Sequence, residues 1–129
     1  MSDKISIMLI SGKREQLQMA AMVASVGAVS GNDVTVFLSM NALQFFVKGN
    51  EVKAEADGPM GTLMEEKNAP DFMELFEQAV ELGDAKIFPC SMAVDINGLT
   101  QDDLVDFVSE SLGLTKFLDD ASEGQIWTF

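Results

Sequence analysis

Strand-like and helix-like segments alternate along this chain, and that alternation restricts the possible folds more than any other feature. Residues 4–10 and 34–38 are short apolar runs rich in β-branched side chains and flanked by turn residues, as in the buried strands of a parallel sheet. Residues 14–30 between them have the length of a helix. Because parallel strands need such a crossover, the first part of the chain predicts a βαβ unit.

The rest of the chain continues this alternation. A short helix is predicted over residues 40–47. A stronger helix follows Pro70 and ends at Gly83, since its apolar residues recur at i, i+3, i+4 and i+7. Residues 85–88 and 125–129 are typical of a third and a last strand.

Two longer stretches lack a clear period and are predicted as loops. Residues 50–69 contain two glycines, a proline and mixed charge, which favours either a functional lid or a mobile loop. Residues 91–98 end in glycine and are predicted as a loop whose backbone N–H groups could hold a sulfur anion as an anion nest.

A further helix is predicted from a capping signal. Thr100 and Asp103 have the spacing of a capping box, with Asp in place of the preferred Glu. The apolar stripe of this helix would consist of Leu104, Val105 and Val108. A last short helix is predicted around residues 116–121.

These elements predict an α/β protein with one three-layer α/β/α sandwich. Its mainly parallel sheet would have four to five strands, and residues 1–129 would form a single domain. Nearly the whole circumference of the 14–30 helix is apolar, so we expect it to be buried on more than one side. Its second face would pack either on another subunit or under later elements of the same chain.

The net charge of −13 restricts the partners. Such a surface repels phosphate backbones and anionic lipids, so neither nucleic acid nor a membrane is expected as a partner. The acidity can serve solubility, or it can steer the protein towards a basic protein partner. No apolar run has the length of a membrane span, and no leader pattern precedes the first strand, so the expected compartment is the cytoplasm.

Cys90 is the only cysteine, and the chain has no histidine and no tyrosine. An internal disulfide is therefore impossible, and a soft-metal cluster would lack ligands, so we expect neither a metal nor a cofactor. The usual pairing of a nucleophile with an imidazole base cannot be built. Cys90 is thus either an inert packed side chain or a thiol activated by something other than histidine.

The position of Cys90 favours a role at the sheet edge where parallel strands end. It directly follows the third predicted strand, and the loops after the first two strands, residues 11–14 and 39–41, should lie at the same edge. The loop after the first strand brings Gly12, Lys13 and Arg14, which includes the only arginine of the chain. Nearby cations stabilise a thiolate, so these residues are candidates for binding substrate or stabilising the thiolate.

The residues around Cys90 resemble those of the DsrE/DsrF-like proteins. In that family a strand ends in a cysteine, a Ser-Met element follows, and an apolar-Gly segment leads to an acidic helix start. Here Cys90 is followed by Ser91 and Met92, and then by Asp-Ile-Asn-Gly-Leu-Thr-Gln-Asp-Asp-Leu over residues 95–104. Segment 45–49, the helix ended by Gly83 and the short last strand add weaker similarity in order and spacing.

The resemblance implies a small flavodoxin-like domain that forms homo- or hetero-oligomers and carries sulfur as a persulfide. That role would fall on Cys90, with Ser91 and Met92 beside it, and the partners would be sulfur-donor and sulfur-acceptor proteins. Many relatives have a further cysteine and this chain has none, which argues against a mechanism with an internal resolving thiol and leaves one-thiol sulfur transfer as the simpler option.

Two hypotheses about function follow. The chain is a sulfur carrier or sulfurtransferase acting through Cys90, or it is a non-catalytic interaction subunit of the same fold in which Cys90 is packed. In both cases we expect a homo-oligomer, a trimer or another small assembly, because the 14–30 helix and the last strand with Trp127 carry much apolar surface.

Overall fold

The computed structural model describes residues 3–129 as an α/β fold built on one parallel sheet. The four strands are β1 (Lys4–Leu9), β2 (Asp33–Leu38), β3 (Lys86–Pro89) and β4 (Gln125–Thr128). Their order in the sheet is β3-β2-β1-β4, and every neighbouring pair is parallel. The predicted strands and the predicted parallel sheet are confirmed.

Helices of different lengths connect these strands. The α-helices are α1 (Arg14–Val29), α2 (Pro59–Glu66), α3 (Phe72–Gly83), α4 (Ser91–Ile96) and α5 (Leu114–Asp120). Two 3-10 helices, Met40–Phe46 and Gln101–Asp103, complete the described elements.

The crossovers place helices on both faces of the sheet. The steps from β1 to β2 and from β2 to β3 run in the same direction, so right-handed connections put α1 and α3 together on one face. The return from β3 to β4 runs the other way and carries α5 to the opposite face. There the Phe117 ring stacks on Phe37 of β2, with ring centroids 4.8 Å apart. The predicted three-layer, flavodoxin-like α/β/α architecture is confirmed.

Small residues let α1 approach its neighbours closely. Ala20, Ala21 and Ala24 are completely buried. Where α1 passes α3, a Cβ atom built on Gly83 would lie only 2.5 Å from the Cβ atom of Ala28 and 2.6 Å from its carbonyl carbon. Gly83 is therefore a packing requirement, because a larger side chain would strike backbone rather than the end of a flexible side chain.

The outer face of α1 is apolar and exposed. Met19, Met22, Val26 and Val29 lie on this face, and Val26 keeps 67 % of its surface accessible. No charged residue occurs in α1 after Glu15. The described part of the chain therefore leaves the second face of this helix open, and the alternative that later elements of the same chain cover it is wrong.

The stretch predicted as a loop over residues 50–69 contains helix α2. Pro59 occupies the first turn, where its missing N–H costs nothing. The Glu15 carboxylate accepts hydrogen bonds from the backbone N–H groups of Asp57 and Gly58, at 2.8 and 2.7 Å. This cap comes from a residue more than forty positions away, so the local sequence could not reveal it.

The stretch predicted as a loop over residues 91–98 is also largely helical, since it forms α4. Gly98 ends this turn in a left-handed conformation, with φ of 64°. The backbone N–H groups of Val94, Asn97 and Gly98 donate to the carbonyl groups of Cys90, Ala93 and Asp95. These three donors are already used, so an anion nest in this segment would have to be built from other N–H groups, and it stays a prediction.

The helix predicted around Leu104, Val105 and Val108 does not form. The capping box of Thr100 and Asp103 is present, but it begins only a 3-10 helix. The chain then runs along the open edge of β3, where the backbone N–H groups of Ser109 and Leu112 donate to Ile87 and Pro89. Hydrogen bonds to the edge strand β3 thus replace those that a helix would have given this part of the backbone. Leu104 and Val108 are nevertheless buried.

The close contact between α1 and α3 generates a prediction about stability. We expect Gly83→Ala to lower the free energy of unfolding by about 1–3 kcal/mol, because the new methyl group overpacks against the Ala28 backbone. The measurement is urea unfolding followed by circular dichroism.

Gly113→Ala is the matched control for Gly83→Ala. A Cβ atom at Gly113 would have its nearest neighbour at 3.9 Å, so this change should alter stability far less. Equal stability of the Gly83→Ala variant and the wild type would contradict the packing described for α1 and α3.

Candidate functional site

Cys90 lies at the carboxyl end of β3 and is the N-cap residue of α4. Its N–H donates to the Leu38 carbonyl at the end of β2, with an N···O distance of 2.7 Å, and its carbonyl accepts from the Val94 N–H at 3.0 Å. These bonds fix the backbone on the strand side and on the helix side. The residue keeps 6 % of its surface accessible, so it is almost completely enclosed by the surrounding protein.

Ser91 and Met92 continue from Cys90 into α4 and point to different surroundings. The Ser91 N–H donates to the Leu112 carbonyl at 3.0 Å, which ties the start of α4 to the segment along β3. Met92 is half-exposed. Ser91 therefore helps to fix the backbone at the site, and Met92 presents its thioether to the solvent side.

Met92 lines a cleft of about 670 Å³ between α4 and the 3-10 helix Met40–Phe46. We call this the α4 cleft. Met40 and Ile96 are exposed apolar residues on its two sides, and of its described lining residues only Lys48 carries a charge. The absence of acidic side chains from this lining contrasts with the 21 Asp and Glu residues of the chain.

Met40 has an unusual backbone at this cleft. Its φ of 50° lies in the left-handed region, which costs a non-glycine residue about 1–3 kcal/mol. The residue is separated from β2 only by Ser39 and is 59 % exposed, so it gains little from burial. The strained turn projects an apolar, sulfur-containing side chain at the edge of the sheet on which Cys90 lies.

Gly12 brings the loops after β1 and β2 together. A Cβ atom built on Gly12 would lie 3.1 Å from the Cβ atom of Asn41, so only a residue without a side chain fits easily here. The loops after β2 and β3 meet in turn across the α4 cleft. The loops after β1, β2 and β3 therefore lie side by side, with the loop after β2 in the middle.

Lys13 and Arg14 have partners other than Cys90. Lys13 pairs with Glu55 at 3.1 Å. Arg14 pairs with Glu65 at 3.3 Å and donates to the carbonyl groups of Ala54 and Gly61. Among the described residues, no hydrogen bond or ion pair joins either cation to Cys90, because β2 separates their strand from β3.

The first turn of α1 instead holds the segment that contains α2. In addition to the contacts of Lys13 and Arg14, Glu15 caps α2 and Gln16 donates to Asp57. The Asp57 N–H lowers the pKa of Glu15 below its ordinary value of 4.5, the Gly58 N–H adds to this effect, and loss of solvation opposes both. We call residues 13–16 the α1 clamp.

Sequence reasoning placed Met40 at this edge of the sheet, within residues 39–41, but missed Ile96 and Glu15. Met40 belongs to a predicted helix and Ile96 to a predicted loop, and nothing in their spacing marks a common cleft. The signal for the α1 clamp was the dense polar run Lys-Arg-Glu-Gln at the start of an otherwise uncharged helix. Such a run can be explained as a solvated helix start, so only the fold shows what it contacts.

In chemical terms the site offers one thiol and, starting two residues further along the chain, a cleft lined by two thioethers and a single charged side chain, that of Lys48. Within residues 3–129, the structure brings together no group of three His, Cys, Asp or Glu side chains that could hold a metal ion. None of the helices described there is long and apolar enough to cross a bilayer. The arrangement defines a small α/β protein with a single cysteine at the carboxyl edge of a parallel sheet.

Comparison with known proteins identifies the family. A model of the DsrE/DsrF/DrsH-like family matches residues 57–129, which is more than half of the chain and includes Cys90. The chain therefore belongs to the DsrE/DsrF/DrsH-like family, as its sequence predicts. None of the curated proteins compared with this chain matches it.

Two solved structures share the fold. The ychN protein from E. coli is 16 % identical, with a TM-score of 0.62, and the match covers 100 % of both chains. A protein of unknown function from Methanobacterium thermoautotrophicum, MTH1491, is 10 % identical, with a TM-score of 0.59, and the match covers 99 % of this chain and 100 % of the other. At these identities the comparison shows the common flavodoxin-like architecture.

The α1 clamp generates a prediction about pH. The pKa of Glu15 is lowered in the folded protein, so its contribution to holding α2 is complete above the ordinary value of 4.5 and is lost as the pH falls through the folded value. We expect the hydrogen-exchange protection factors of the α2 amides to fall in that acidic range. In Glu15→Gln they should be lower at neutral pH and should change less on acidification.

Glu77→Gln, which removes an exposed carboxylate from α3, is the control for this experiment. It should retain the wild-type pH dependence of α2. The same acid-induced loss of protection in Glu15→Gln as in the wild type would show that another group holds the segment.

Proposed function

We propose that this protein is a sulfur carrier that holds sulfane sulfur as a persulfide on Cys90 and transfers it to a partner protein. Family membership supports a sulfur-relay type of role at the level of the family. The observation that carries the proposal for this chain is the position of its single cysteine, at the carboxyl end of β3 and two residues before Met92, which lines a cleft whose described lining has no acidic side chain.

The proposed reaction is thiol–persulfide exchange. The Cys90 thiolate attacks the outer sulfur of a donor persulfide, a new sulfur–sulfur bond forms on Cys90, and the donor thiolate leaves. In the second step an acceptor thiolate attacks the outer sulfur, and Cys90 is released as thiolate. No net oxidation takes place, so neither an oxidant nor a reductant is required.

The single thiol makes partner proteins necessary. After transfer to Cys90 no second cysteine can take over the sulfur, so both the donor and the acceptor thiols come from outside the chain. Since Cys90 is only 6 % exposed, we propose that each partner presents its sulfur on a narrow segment inserted beside Met92. The α4 cleft can accept such a segment.

Gly12, Lys13 and Arg14 were predicted to bind substrate or to stabilise the thiolate, and we propose other main roles for them. We propose that Gly12 permits the close contact between two loops and that the two cations act mainly in the α1 clamp. Any effect of Lys13 or Arg14 on the thiolate would then be exerted through space. At a separation of about two inter-strand spacings, or about 10 Å, physiological salt largely screens such an effect.

Cys90 is the subject of the central prediction. After incubation with polysulfide, the intact protein should gain the mass of one or two sulfur atoms, and peptide mapping should place the gain on Cys90. The loaded protein should return the sulfur to added glutathione. Cys90→Ser should show neither effect while keeping the wild-type circular dichroism spectrum.

Lys13→Gln and Arg14→Gln test the cations in the same assay. Both should load sulfur at nearly the wild-type rate and should lose hydrogen-exchange protection in α2. If the wild type gains no sulfur and its Cys90 is alkylated only after unfolding, the alternative of a non-catalytic subunit with a packed cysteine holds.

We also propose that the chain forms a homo-oligomer through the outer face of α1. In a protein with a net charge of −13, an uncharged apolar face is where a second copy can approach with least repulsion. Light scattering of the wild type should give a multiple of 14.0 kDa. Val26→Glu should move the mass towards that of the monomer, whereas Ser122→Glu, the same added charge in an exposed turn, should not.

A wild-type mass of 14.0 kDa at micromolar concentration would rule out this assembly. A multiple that Val26→Glu leaves unchanged would place the interface on another surface of the protein.

A further inference from the structure

A second cavity lies beside the α1 clamp, between α1, the start of α3 and the segment before α2. Its volume is about 480 Å³, within the range of small-molecule sites. Arg14 and Gln18, one helical turn apart on α1, form its polar wall. We call it the α1 cavity. It shares only Asn50 and Val52 with the described lining of the α4 cleft.

Gln18 is the unusual residue of this cavity. It is 92 % buried, since only 8 % of its surface is accessible, and it lines the cavity. None of the side-chain hydrogen bonds among residues 3–129 involves its amide, and the fully buried side-chain atoms without a partner there are Ser6 Oγ and Gln16 Oε1, so the Gln18 amide is open to the cavity. Other polar groups at the wall do have partners, since Arg14 bonds Ala54 and Gly61 and pairs with Glu65.

The free amide determines what the cavity can recognise. A glutamine side chain presents a carbonyl acceptor next to an N–H donor, so its best partner is another edge with one donor and one acceptor side by side. The lining carries two cations, Arg14 and Lys53, and two carboxylates, Glu65 and Asp71. Glu65 lies 3.3 Å from Arg14 and 3.8 Å from Lys53, and Asp71 accepts a hydrogen bond from the Met73 N–H, so the lining has no net charge. A charged ligand would compete with these pairs, whereas an uncharged one would not.

The opposite wall is apolar and partly aromatic. The rings of Phe45 and Phe72 lie edge to face, with centroids 5.8 Å apart and an angle of 88° between their planes. Met64 and Met73 add flexible thioether side chains to the lining. This wall suits the flat apolar body of a ring system.

From these observations we infer that the α1 cavity binds an uncharged, flat small molecule whose edge carries an adjacent hydrogen-bond donor and acceptor, as in an aromatic carboxamide. The Gln18 amide pairs with that edge, and the Phe and Met side chains contact the ring. The inference does not depend on sulfur chemistry at Cys90.

Three probes of similar shape test this inference by NMR titration of the ¹⁵N-labelled protein. Benzamide has the donor and the acceptor, acetophenone has only the acceptor, and benzoate carries a charge. Benzamide should produce saturable shifts of the amide signals of Gln18, Ala54 and Phe72 at lower concentration than the other two. Gln18→Met should weaken benzamide binding by about ten-fold, the effect of a net loss of about 1.4 kcal/mol.

Gln78→Met, the same chemical change at an exposed position of α3, is the matched control and should bind benzamide like the wild type. Met73→Trp, which fills the cavity from the opposite wall, should abolish binding of all three probes. Gln18→Met should unfold at the same urea concentration as the wild type or a higher one, because the amide it removes has no partner within the described chain.

The inference is overturned if benzamide produces no saturable shifts at the cavity, or if acetophenone or benzoate binds as well as benzamide. It is also overturned if Gln18→Met binds benzamide with wild-type affinity. Strong destabilisation by Gln18→Met would show that the amide has a structural role instead.

Discussion

The packing of α1 against the sheet and α3 is the contact on which the rest of this structure depends. Its alanine face allows the helix to lie close to β1 and β2, and the contact of Ala28 with Gly83 sets the separation from α3. This placement leaves the first turn of α1 free to hold the segment of α2 and turns an apolar face outward. One helix thus supports the sheet, the α1 clamp and a surface suited to assembly.

The strand order explains why the site is built around Cys90 rather than around the loop after β1. The order reverses between β1 and β4, where open α/β sheets usually bind ligands. At this position the N–H groups of Ile10 and Ser11 already donate to the Phe129 carbonyl. Cys90 follows β3, the outermost strand on the other side of the sheet, and the α4 cleft begins two residues after it. Lys13 and Arg14, the two cations that follow β1, are paired with Glu55 and Glu65.

The sequence was sufficient for the elements that depend on local pattern and insufficient for those that depend on distant partners. The strands and α3 follow from apolar period and length, and the position of Cys90 at the end of β3 follows from them. By contrast, α2 depends on the Glu15 cap, and the backbone around Ser109 depends on the open edge of β3. The predicted capping box at Thr100 does form. The chain after it pairs with the edge strand β3 instead of continuing as a helix.

The distribution of charge bears directly on one-thiol sulfur transfer. During thiol–persulfide exchange, negative charge is shared among the attacking, central and leaving sulfur atoms, and nearby carboxylates would raise the barrier through repulsion at low effective dielectric. Under the proposed sulfur transfer, a chain with 21 acidic residues therefore needs a region without acidic side chains where the sulfur passes. The α4 cleft is such a region, since Lys48 is the one charged residue of its described lining. The acidic remainder of the surface can still attract a basic partner over longer distances, so under the proposed function attraction of the partner and the transfer step would use different parts of the same surface.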